Sequence, residues 1–131
     1  MSPSSPRQMH DGILSLAGKT ALISGAAGNI GSGTARLFAD HGADLVLTDR
    51  HTEGLDRLAH GIRQRSERKV VTIPADLSSK AEVDRVAVAA LDAFERVDIL
   101  MNNAAGAMDP EPCSLLDSDD QLWDEGISVN V

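Results

Sequence analysis

Four short apolar runs mark the chain from Lys19 onward: TALIS (20–24), DLVLTD (44–49), KVVTIP (69–74) and VDILMN (97–102). Each is rich in β-branched residues and close to continuously apolar, the pattern of strands covered on both faces. Between them the apolar period lengthens. Leu55, Leu58, Ala59 and Ile62 follow i, i+3, i+4, i+7. Val83, Val86, Ala87, Ala90, Leu91 and Phe94 hold the same stripe over three turns, which predicts amphipathic helices. Ser79 with Glu82 forms an S-x-x-E cap before the second of these helices. Ser118 with Gln121 forms another, and Asp119 and Asp120 suit the positive end of that last helix, expected from about 119. The order is β-α-β-α-β-α-β-α. Strands alternating with helices predict an α/β fold with a parallel sheet and right-handed crossovers. Residues 1–12 are rich in Ser and Pro, lack an apolar period, and are expected to form a disordered arm ahead of the domain at 13–131.

The loop after the first strand carries the first chemistry. It reads Ser24-Gly25-Ala26-Ala27-Gly28-Asn29-Ile30-Gly31 and leads into a helix. Glycines at such a turn let the backbone approach a diphosphate, and N–H groups at the helix start point at its charge. The alternative is a tight βα loop that binds nothing. No Lys-Ser or Lys-Thr follows the glycines, so a mononucleotide P-loop is excluded. Asp49 closes the second strand 24 residues after Gly25. An acid there accepts hydrogen bonds from adenosine ribose hydroxyls and repels a 2′-phosphate, which favours NAD over NADP. Arg50 works the other way, since a guanidinium pairs with phosphate. The plainer reading makes both residues ordinary polar closure of a strand.

Composition narrows the setting. The chain has 131 residues, enough for one domain with a real core. Twelve basic and 20 acidic residues give a net charge of −8, which excludes the electrostatic footprint of nucleic-acid or anionic-membrane binding. No apolar run reaches the ~20 residues of a membrane helix. The N-terminus lacks the apolar stretch of a signal peptide. A single cysteine, Cys113, excludes an internal disulfide framework, and a reducing cytoplasm is the expected setting. Cys113 has no visible nucleophile partner and is expected to be passive. His10, His41, His51 and His60 lack metal-ligand spacing, so no metal is expected. The loop at 107–118 follows the fourth strand, on the side where ligands sit in such folds. Residues 109–125 hold seven acids and no base, read as a solvated surface.

Together these residues resemble the short-chain dehydrogenases/reductases, over Leu16 to Val131. Leu-Ala-Gly-Lys-Thr-Ala-Leu-Ile-Ser-Gly (16–25) is similar to the family's entry into its first strand. Asp76-Leu77 is similar to the pair that contacts adenine. Asn102-Asn103-Ala104-Ala105-Gly106 is similar to the Asn-Asn-Ala-Gly motif, and Trp123 to Val131 to the helix carrying the catalytic Asn, here Asn130. The resemblance implies a Rossmann-type doubly wound parallel sheet, incomplete, with about four strands in the order 3-2-1-4. It implies hydride transfer between NAD, or NADP, and an alcohol or ketone, and a homo-oligomer in the full-length protein. Gly25, Gly28 and Gly31 would cradle the diphosphate, with Ser24, Asn29 and Ile30 beside them. Asp49 and Arg50 would meet the ribose, and Asp76 and Leu77 the adenine. Asn103, Ala104 and Gly106 would line the cleft, and Asn130 would join the proton relay.

Two departures stand out. Ser24 replaces the usual Thr and Asn29 the usual middle Gly, so the glycine spacing is closer to that of the extended branch with its nucleotide-sugar epimerases. The other motifs favour the single-domain branch. The family's Tyr and Lys, which move the proton, are missing: the chain contains no tyrosine and stops one residue after Asn130. The chain is therefore expected to be inactive alone, as the front part of a protein about twice as long, because its fourth strand would otherwise leave an uncovered edge. A non-catalytic dinucleotide-binding or interaction module is the rival reading.

Overall fold

The computed structural model describes residues 12–105 and 120–130. Four strands and four helices alternate: β1 (Thr20–Ser24), α1 (Asn29–Asp40), β2 (Asp44–Asp49), α2 (Thr52–Arg65), β3 (Val70–Pro74), α3 (Lys80–Phe94), β4 (Ile99–Met101) and α4 (Asp120–Asn130). The strands form one sheet in the order β3-β2-β1-β4, all pairs parallel. Thr20 to Ser24 pair with Asp44 to Thr48, and Leu45 to Asp49 with Val70 to Pro74. The expected fold class and strand order are both present.

The core lies on two faces. On one, Ala21, Ile23, Leu45 and Leu47 meet α1 and the Leu55, Leu58, Ala59, Ile62 stripe of α2, all buried. With Phe38 partly buried against the same cluster near the helix's far end, the buried residues of α1 are Gly31, Ala35 and Ala39, small residues one turn apart. The absence of bulk there lets the helix start sit close to the strand ends. On the other face Leu22, Val46 and Ile73 pack against Val86 and Ala90 of α3.

That second face corrects one expectation. Of the six α3 positions read as core, only Val86 and Ala90 are buried, and Leu91 is 50% exposed. Helix α3 packs beside β3 and stops short of β4, whose Leu100, on the Leu22 face, is 60% exposed. The apolar stripe is wider than the surface it covers here.

Two strands are shorter than their apolar runs. β3 starts at Val70 rather than Lys69, and β4 spans three residues rather than 97–102. The physical reason at β4 is competition for donors. Asn103 N–H bonds the Ser24 hydroxyl, not a strand ladder, so the chain leaves the sheet there. The cap at α3 forms in its forward half only. Ser79 Oγ accepts from Glu82 N–H, while the Glu82 carboxylate pairs with Arg85 at 2.6 Å. The second cap at Ser118, all of the arm at 1–12 except Gly12, and the 107–118 loop with Cys113 lie outside the described residues.

Candidate functional site

The connections step from β1 to β2 to β3 on one side, then cross back to place β4 on the far side of β1. That reversal leaves a crevice outside the carboxyl ends of the strands. A cleft of about 420 Å³ occupies it. Its walls are the loop after β1, the end of β2, the turn after β3 and the segment after β4.

The loop is held by backbone geometry. Gly25 has φ +63°, a left-handed conformation, and a Cβ there would stand 2.9 Å from Ala104 Cα. Only glycine meets both demands. Asn103 Nδ2 donates to the carbonyls of Ser24 and Gly25, fixing the loop against the post-β4 segment. Ser24 completes that tie. Its hydroxyl donates to Met101 O at 3.3 Å and accepts from the N–H groups of Asn103 at 2.9 Å and Ala104 at 3.0 Å.

Helix α1 begins at Asn29 with Gly28 as its N-cap, and no side chain caps it. Its first helical bond runs from Ser32 N–H to Gly28 O. The N–H groups of Asn29, Ile30 and Gly31 precede that bond, so the positive end of the helix opens on the cleft. A Cβ at Gly28 would meet only Gly25 O, at 3.4 Å, and would otherwise stand in open space. A Cβ at Gly31 would lie 2.3 Å from Gly25 O. The two glycines thus differ: Gly28 leaves the cleft clear, and Gly31 lets the helix pack under the loop.

At the other end, Asp49 receives two backbone N–H groups, Ala27 on Oδ2 and His51 on Oδ1, each at 3.0 Å. Asp76 accepts from both the hydroxyl and the amide of Ser78. Those bonds, the hydroxyl's first, hold its carboxyl below the ordinary carboxylate value, and Arg50 adds a smaller pull.

Ten of the residues singled out from the sequence line this cleft: Gly25, Gly28, Asn29, Ile30, Asp49, Arg50, Asp76, Leu77, Asn103 and Ala104. Ser24 and Gly31 do not. Both are buried beneath it, so their part is to shape the loop rather than to touch a ligand. Gly106 lies outside the described residues. Asn130 is the last residue of α4, and its side chain is also outside them. Sequence reasoning missed Ala27, His51, Ala75 and Ala105, which also line the cleft. Ala27 and Ala105 stood inside the quoted motifs without being assigned a contact, Ala75 carries no chemical signal, and His51 stood next to Arg50 just past a strand end. Among the described residues no group of three or more His, Cys, Asp or Glu could hold a metal, and no helix is long and apolar enough to cross a membrane.

The family model for short chain dehydrogenases matches residues 19–131. Oxidoreductase UcpA of Salmonella typhimurium is 39% identical over 119 residues, covering 88% of this chain and 42% of that protein. The 3-ketoacyl-(acyl-carrier-protein) reductase of Brucella melitensis, solved with NADH, is 38% identical with a TM-score of 0.79, over 89% of this chain and 46% of that one. A metagenomic short-chain oxidoreductase solved with NADP is 32% identical with a TM-score of 0.80, over 88% and 51%. The chain spans less than half the length of the curated relative and about half of the solved ones.

Proposed function

Because the chain belongs to the short-chain dehydrogenase family, we propose that it is the cofactor-holding part of an NAD(P)-dependent oxidoreductase acting on an alcohol or ketone. The observation that carries this reading is the start of α1, uncapped by any side chain, with open space in front of Gly28 on the cleft. A dinucleotide fits the residues present. The N–H groups of Asn29 and Ile30 would meet the diphosphate. Asp49 would accept from the adenosine ribose, and Asp76 from the adenine amino group. Leu77 and Ala75 would cover the adenine ring.

When bound, the nicotinamide supplies the hydride acceptor or donor. This chain's own residues bind and orient; Asn130 would join the proton relay. The 131 residues contain no tyrosine, so the family's general acid/base is not among them and the chain alone is expected not to turn over. Two carboxylates at the adenosine end favour NAD, and Arg50 keeps NADP within reach by offering a guanidinium to a 2′-phosphate.

The test is a titration of NADH into the 131-residue chain, read by cofactor fluorescence, with ADP-ribose as competitor. ADP-ribose keeps the adenosine, diphosphate and both riboses but has no nicotinamide. The reading expects saturable NADH binding and displacement by ADP-ribose at comparable concentration. A folded chain that binds neither would overturn it.

A further inference from the structure

We infer that Asp49 is a positioning residue that clamps the glycine-rich loop in its ligand-ready form, beyond any contact it makes with a ribose. The inference rests on the dinucleotide reading for its ligand, but its geometry belongs to the chain alone. Asp49 stands at the end of β2, partly buried, where its carbonyl accepts from the N–H of Ala75, the residue after β3. Its two carboxylate oxygens reach in different directions. Oδ2 takes the N–H of Ala27, in the middle of the loop, and Oδ1 takes the N–H of His51, the residue before α2. One rigid strand end therefore joins the loop to the start of the second helix.

A second contact closes the same joint. Gly54, in the first turn of α2, lies so near the loop that a Cβ there would be 3.0 Å from Ala27 Cβ. Ala27 is thus held by a carboxylate on its amide and by the helix start against its side chain. Ala27 precedes Gly28 and the open N–H groups of α1. A loop free to shift at Ala27 would carry those donors out of register with a diphosphate, and ordering it would then fall to the ligand. A residue that only reads the ribose predicts otherwise. Removing its charge would weaken NAD and leave NADP unchanged or improved, because a 2′-phosphate would no longer face a carboxylate.

The two accounts separate in Asp49→Ala. The clamp predicts that NADP affinity falls by about tenfold, along with NAD affinity, as two charge-assisted hydrogen bonds are lost. It also predicts that in the ligand-free chain the Ala27 amide exchanges about tenfold faster while β1 amides keep their protection. Asp49→Asn keeps one acceptor oxygen and should fall between. A merely structural role would lower the thermal midpoint without changing the affinity of the folded chain. Unchanged or raised NADP affinity in Asp49→Ala overturns the clamp, as does unchanged Ala27 exchange. If Asp49→Ala does not fold, Asp49→Asn decides by the same two readouts. If the unaltered chain binds neither dinucleotide, the cofactor reading fails, and amide exchange, which needs no ligand, decides the clamp.

Discussion

Ser24, Gly28 and Gly31 show how single atoms set this cleft. The Ser24 hydroxyl satisfies two part-buried backbone donors just past the end of β4. Ser24→Ala is expected to cost about 1–3 kcal/mol, the range for stranding such groups. Ser24→Thr, which keeps the oxygen, should recover most of it in urea unfolding; equal loss in both variants would contradict this role. Gly31→Ala forces a Cβ against Gly25 O and should cost about 1–3 kcal/mol or displace the helix start. Gly28→Ala has room and an ordinary φ of −77°, so stability should stay within about 1 kcal/mol while dinucleotide affinity falls. Reading G-x-x-G-x-x-G in the sequence located all three glycines, but it could not say that they do different work. That difference depends on the approach of Ala104 and Gly25 O, contacts between elements far apart in sequence or folded back on themselves.

Among the elements, periodicity predicted existence well and coverage less well. All four strands and the α2 stripe were legible, since an apolar run and a 3.6-residue period each have one structural solution here. The α3 stripe was legible as a helix but not as a half-covered one, because what covers a helix is a property of its neighbours. The contrast is measurable. Leu55→Ala, in the buried face of α2, is expected to cost about 2–5 kcal/mol. Leu91→Ala, on α3, should cost less than about 1 kcal/mol. Comparable losses at both sites would mean that Leu91 is covered in solution. The end of β4 was overestimated for a related reason: the run was read through Asn102, yet the next residue, Asn103, turns its N–H to the Ser24 hydroxyl and its side chain to the carbonyls of Ser24 and Gly25.

Taken as a molecule, the chain gathers its functional groups at the carboxyl end of the sheet, while its ionic ties are spread over both ends. Near the strand starts, Asp98 accepts from Thr20 N–H and pairs with Arg96, which itself reaches Gly18 O. The Thr20 amide, aided by Arg96, holds the Asp98 carboxyl below its ordinary value of 3.8. Asp76 and Glu82 are lowered likewise, by Ser78 and Arg85. A carboxyl depressed in the folded state stabilises above its unfolded value, and that contribution is lost as pH falls through the folded one. Stability should therefore decline below about pH 4, and Asp98→Asn should flatten part of that decline in urea midpoints; an identical slope would remove Asp98 from the account. The cleft at the switch point between β1 and β4 was foreseeable from the strand order that the family resemblance implies, which the sheet has. Its occupant is best tested by backbone amide NMR of the 131-residue chain during an NAD titration. Saturable shifts concentrated at Gly25, Ala27, Asn29, Asp49, Asp76 and Asn103 are predicted. A folded spectrum in which those amides do not move, or in which the moving set lies elsewhere, would contradict the reading.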